Sequence, residues 1–119
     1  RVFLGGMVTY SNELKRSLLG VTAETLDKHG AVSAECALEM ASGVRRVTGA
    51  DLGVSTTGIA GPDGGTETKP VGTVFMALST PTGDYVQRHQ LYSPRNRIRQ
   101  GATLLALNMI RLWCSGSDL

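Results

Sequence analysis

Apolar and polar positions along the chain change rhythm several times, and each change marks an element. Val2 to Tyr10 is β-branched and aromatic around an inner Gly5-Gly6, and predicts a strand. Ser11 caps a short helix over 12–19 that Gly20 closes, and Thr22 caps a second that ends at His29-Gly30. Ser33 caps a third. In it Cys36, Ala37, Met40, Ala41, Val44 and Val47 recur at helical spacing, Glu35, Glu39, Arg45 and Arg46 face water, and Gly49 ends the run. Asp51 to Thr57 predicts a buried strand and Gly58 to Val71 a long glycine-rich loop. Residues 73–80 and 84–91 form a hairpin about Pro81-Thr82-Gly83. Ser93 as cap and Pro94 at the first helical position open a last helix with Ile98, Ala102, Leu105, Met109 and Leu112 on its core face.

That order predicts an α/β domain over 1–119, a three-layer α/β/α sandwich with a mixed, mostly parallel sheet. With strands 2–10 and 51–57 parallel, both end at one edge, where the glycine loop starts and the last helix begins. Tyr10, Lys15, Thr57, the loop and Arg95, Arg97 and Arg99 gather there. Open α/β sheets bind ligands outside the carboxyl ends of their strands, so this edge is the expected site.

Composition narrows the partner. Twelve Lys and Arg against ten Asp and Glu, with 41% apolar residues, exclude disorder. Nothing approaches the roughly 18–20 apolar residues of a membrane span. A net charge of +2, 5% aromatic residues and no aromatic-rich strand argue against nucleic acid. Cys36 and Cys114 are far apart in sequence and lack metal-ligand spacing, which predicts a reduced, cytoplasmic setting. His29 and His89 are isolated, so no metal site is expected. Arg1-Val2-Phe3-Leu4 runs straight into Gly5-Gly6 without a leader, and an opening in mid-pattern without Met predicts a fragment of something longer. A domain this small with a site at its edge is compatible with a homo-oligomer.

Three groups at the edge carry chemistry. Thr56-Thr57-Gly58, Gly61-Pro62 and Gly64-Gly65 offer hydroxyls and closely approaching N–H groups, as an anion cradle needs. No Gly-Lys-Ser/Thr follows as in a phosphate loop, and no helix opens behind as in a dinucleotide fingerprint. The plain alternative is a long turn that needs glycine for its dihedrals. Arg95, Arg97 and Arg99 crowd the positive end of a helix, an unfavourable place for cations unless an anion binds there; a solvated basic face is the alternative. Lys15 sits one turn into the helix after Tyr10, where the dipole disfavours its charged form and suits it to act as a general base. The alternative is a surface lysine, with Glu13 beside it. No serine sits in a nucleophile turn, since Ser11, Ser33 and Ser93 all read as caps.

Gly6-Met7-Val8-Thr9-Tyr10-Ser11-Asn12-Glu13 with Lys15, Leu18 to Val21, His29 to Ser33, Thr57 to Gly65 and Lys69 to Val74 resemble the CinA C-terminal domain of competence/damage-inducible proteins. The resemblance covers nearly the whole chain, in order. Active members of that family are nicotinamide-nucleotide amidohydrolases. The resemblance therefore implies a small-molecule nucleotide substrate: nicotinamide mononucleotide is deamidated to nicotinate mononucleotide and ammonia, a salvage step of the pyridine nucleotides, by a serine–lysine mechanism that needs no cofactor. It also implies a three-layer sandwich with a mixed five-stranded sheet. The family's lysine and tyrosine map onto Lys15 and Tyr10, its loop threonine onto Thr57 and an arginine of the last helix onto Arg97. Asn12, Thr56, Gly58 and Gly61 complete the expected substrate contacts. The family's serine lies in a Glu-Ser-Cys-Thr-Gly-Gly turn upstream of the segment matching Arg1. That turn and its strand are absent from this sequence, as expected of a fragment of something longer. The competing expectation is a non-catalytic, nucleotide-binding regulatory domain.

Overall fold

Three helices begin where a hydroxyl oxygen meets an otherwise unpaired amide. Ser11 Oγ accepts from Leu14 N–H, Thr22 Oγ1 from Thr25 N–H and Ser33 Oγ from Cys36 N–H, each at 3.1 Å. These caps start α1 (Asn12–Leu19), α2 (Ala23–His29) and α3 (Ala34–Thr48). Gly20 and Gly49 end α1 and α3 in the left-handed region. The computed structural model describes residues 2–92 and 94–119. The expected cap Ser93 lies outside them; Pro94, expected as the first helical residue, takes the cap position of α4 (Arg95–Cys114), one place later than the expected cap.

The sheet corrects the sequence reading. It has three strands, β1 (Gly53–Gly58), β2 (Thr73–Thr80) and β3 (Gly83–Gln90), in the order β1-β2-β3, and both pairings are antiparallel. It is not a mixed, mostly parallel sheet. The expected parallel pairing required a strand over 2–10, and that segment forms none. Val2, Phe3, Val8 and Tyr10 are exposed, and only Met7 and Thr9 turn inward. β propensity without a neighbouring strand does not make a ladder, and Gly5-Gly6 weakens the propensity further. With that segment removed, only the loop and hairpin connections remain, and both reverse the chain.

α3 covers one face of the sheet and α4 the other. Phe75 and Ala77 of β2 pack on Ala37 and Ala41 of α3. Val74, Met76 and Leu78 pack on Ile98, Ala102 and Met109 of α4. Every residue of β2 is therefore buried. Fully burying Met76, Leu78 and Met109 stabilises the fold by roughly 1.5–3 kcal/mol each. A third cluster, Leu19, Val21, Cys36 and Met40, joins α1 to α3.

The apolar stripe expected for α3 is mostly right, with two departures. Val47 is exposed, and Gly43, absent from the expected stripe, is buried. A Cβ on Gly43 would come within 1.9 Å of Leu19 O, so only glycine lets α1 approach. On α4, Ala106 is buried in addition to Ile98, Ala102 and Met109, while Leu105 and Leu112 are half-buried. Among the described residues no helix is long and apolar enough to cross a membrane.

Candidate functional site

Neighbouring threonines of β1 face opposite ways because side chains alternate along a strand. Thr57 is 8% exposed and points towards α3, where its hydroxyl donates to Ala31 O at 2.7 Å. Thr56 points to the α4 side. There it lines a cleft of about 440 Å³ with Tyr10, Gly58, Ala60, Val74, Arg95, Ile98, Arg99, Ala102 and Thr103. That volume lies within the range of small-molecule sites. Tyr10 forms one rim and is 82% exposed.

Gly58 ends β1 where a Cβ would meet Thr73 O at 2.8 Å and Val74 Cγ2 at 2.9 Å. From it the glycine loop swings out to Gly72. Cations from three directions hold this loop, each by a backbone carbonyl. Arg95 Nη1 donates to Gly61 O at 3.1 Å, Arg88 Nη2 to Thr68 O at 2.9 Å, and Lys69 Nζ to His29 O at 2.8 Å. The Arg88 guanidinium also lies 5.5 Å from the centre of the Phe75 ring.

Arg95 and Arg99 sit four residues apart and so share one helical face, the one that lines the cleft. Arg97 belongs to the opposite side, is exposed, and is not a lining residue. The expected placement of the phosphate contact at Arg97 therefore puts it off the cleft. The spacing i, i+4 was the available signal for choosing among the three arginines. Ile98 and Ala102, read from sequence only as core, also form the cleft wall.

Lys15 lies behind this rim and does not line the cleft. It is 8% exposed, and its Nζ donates to Thr9 O, the carbonyl just before Tyr10, at 2.6 Å. Among the described residues it has no carboxylate within 4.0 Å. The Cys36 thiol, fully buried, shares this interior. Burial pushes that thiol above its ordinary range, the Lys15 ammonium acts in the opposite direction, and the Glu39 carboxylate adds to the rise. Glu39 itself accepts from Thr22 N–H at 2.8 Å and from the Thr25 hydroxyl, tying the start of α2 to α3. Asn12 is exposed on the first turn of α1, outside the cleft. Thus Tyr10, Thr56 and Gly58 meet at the cleft, Gly61 is held beside it by Arg95, and Thr57, Asn12, Arg97 and Lys15 lie elsewhere.

A sheet held between helices, with a tethered glycine loop and two arginines at one end, defines an α/β domain with a cleft lined by Arg95 and Arg99. The chain belongs to the CinA C-terminal domain family, whose pattern it matches over residues 1–114. It is 48% identical over 117 residues to a CinA-like protein of Thermotoga maritima, covering 98% of this chain and 28% of the relative. Among solved structures, competence/damage inducible protein CihA of Agrobacterium tumefaciens aligns at 43% identity and a TM-score of 0.79, over 86% of this chain and 63% of that one. Competence damage-inducible protein A of Klebsiella pneumoniae aligns at 37% identity and 0.81, over the same shares. The chain thus spans under a third of that curated relative and under two thirds of these solved chains.

Proposed function

We propose that the protein containing this domain deamidates nicotinamide mononucleotide to nicotinate mononucleotide and ammonia in the cytoplasm. The observation that carries the reading is Lys15: a buried amine that has no carboxylate partner among the described residues and is bonded to the carbonyl that precedes Tyr10 at the cleft rim. A lysine so placed suits proton transfer better than surface charge.

In this reading the nucleophile is the serine that the family carries ahead of the matched segment. Lys15 removes the hydroxyl proton as the oxygen attacks the carboxamide carbon. The C–N bond then breaks, and the proton leaves with ammonia. Water, deprotonated by the same amine, hydrolyses the resulting ester and regenerates the serine. Tyr10 orients the amine or relays its proton, backbone N–H groups near Gly58 hold the oxyanion, and Arg99, with Arg95 beside it, takes the 5′-phosphate. Ammonia release from nicotinamide mononucleotide by the intact protein tests this, with Lys15→Ala beside it. Release that falls by roughly 10²–10⁴-fold in the variant supports the assignment. No release from the folded, intact protein sinks it.

One observation favours a second reading. Two arginines, Arg95 and Arg99, line the cleft, and they suit binding of a phosphate without any nucleophile. A non-catalytic nucleotide-sensing domain would bind the mononucleotide, measured by calorimetry, without releasing ammonia.

A further inference from the structure

The outer edge of β3 reads as an interface with a second copy of itself. In an antiparallel ladder, hydrogen-bonded pairs alternate with non-bonded ones. Leu91 N–H donates to Gly72 O at 2.8 Å, so the bonded pairs continuing that register are Val74–His89, Met76–Gln87 and Leu78–Tyr85. Asp84, Val86, Arg88 and Gln90 therefore turn their backbone N–H and C=O groups away from β2. No strand among the described residues receives them.

We propose that this edge pairs antiparallel with the β3 edge of another copy of the chain, about a two-fold axis at Val86. The register follows from the side chains. A two-fold axis normal to the sheet keeps each face on its own side, so opposed residues must share a face. Centring on Val86 opposes Val86 to itself and Asp84 to Arg88 twice, with all of these side chains on the α3 face. Tyr85 then opposes Gln87 on the α4 face. An apolar centre flanked by two pairs of opposite charge is self-complementary, and the backbone groups that face outward are the ones this register joins. Arg88 retains donors for a second acceptor beyond Thr68 O. The other outer strand among the described residues, β1, offers no charged residue, and its Thr56 and Gly58 line the cleft. The described strands of the two copies then run on as one sheet through the two β3 edges, and both clefts lie at its far sides, away from the joined edges.

Sedimentation velocity on the intact protein gives the test. The wild type is expected at twice the chain mass. Asp84→Arg and Arg88→Asp, which oppose like charges, are each expected to weaken self-association at least tenfold, and an equimolar mixture of the two is expected to restore a dimer. Val86→Pro removes an N–H that faces outward and spares the β2 ladder, so it is expected to yield folded monomer. Circular dichroism and thermal melts check folding. Should Arg88→Asp fail to fold through loss of its Phe75 and Thr68 contacts, Asp84→Arg and Val86→Pro still decide. A monomeric wild type, or a dimer unaffected by the folded variants, overturns the proposal. None of these readouts depends on the amidase assignment.

Discussion

The two faces of the sheet are built differently. On the α3 side, small residues bring backbones into close contact and hydroxyls are committed internally. Ser55 donates to Ala37 O at 2.6 Å and Thr57 to Ala31 O at 2.7 Å, while Gly53 admits the backbone of α3. On the α4 side, large side chains fill the middle, and the end near Gly58 opens into the cleft. One face carries the fold and the other presents chemistry, with Thr56 and Thr57 as adjacent samples of each.

The sharpest way to break this division is Gly53→Val. Its Cβ would lie 2.3 Å from Ala41 O and 2.8 Å from Arg45 Cβ, and neither can retreat without moving α3. Overpacking against backbone is expected to cost about 3 kcal/mol, a fall in Tm of roughly 10 °C or more by calorimetry. Arg99→Ala should do the reverse. On the proposed function, loss of a charge-assisted contact worth about 1.5–3 kcal/mol is expected to raise KM for the mononucleotide roughly 10–100-fold with Tm nearly unchanged. Arg97→Ala, off the cleft, is the control and should leave KM within about twofold. An Arg97 effect equal to that of Arg99 would erase the distinction.

The threonine pair offers a finer comparison. Thr57→Val removes the donor to Ala31 O and should destabilise by about 1 kcal/mol in a urea titration. Thr56→Val should leave the urea midpoint in place and alter KM instead. The smallest effect concerns Cys36. Its raised value means that the folded state holds the thiol proton more tightly than the unfolded chain. Stability from this group is therefore constant below the unfolded thiol range near 8.5 and falls as pH rises above it, by under about 1 kcal/mol at pH 9. Cys36→Ala should remove that share of the alkaline slope. In the native protein the exposed Cys114 should react with iodoacetamide and Cys36 should not.

Local signals predicted the elements well because their causes are local. Ser11, Thr22 and Ser33 cap the helices expected of them, and Gly20 and Gly49 end two of them. The strand expected over 2–10 failed because pairing requires a neighbour, which a propensity pattern does not contain. Gly43 escaped notice for a related reason, since its importance lies in what α1 does two elements earlier. At the site, alternation along β1 could have separated Thr56 from Thr57, and helical spacing could have set Arg97 on the side opposite Arg95 and Arg99. The inward turn of Lys15 depends on the path of residues 2–10, which the sequence does not specify.

The cations that fasten the glycine loop all bind neutral carbonyls. Arg95, Arg88 and Lys69 have no ion pair among the described residues, and neither do Asp63 and Glu67 of the loop itself. Their mechanical work therefore leaves their charge intact. Arg95 and Arg99 line the cleft and no carboxylate among the described residues lines it with them, so its mouth keeps a positive field. Anionic molecules would be drawn towards it before touching it, and salt should slow their arrival while leaving the loop where it is.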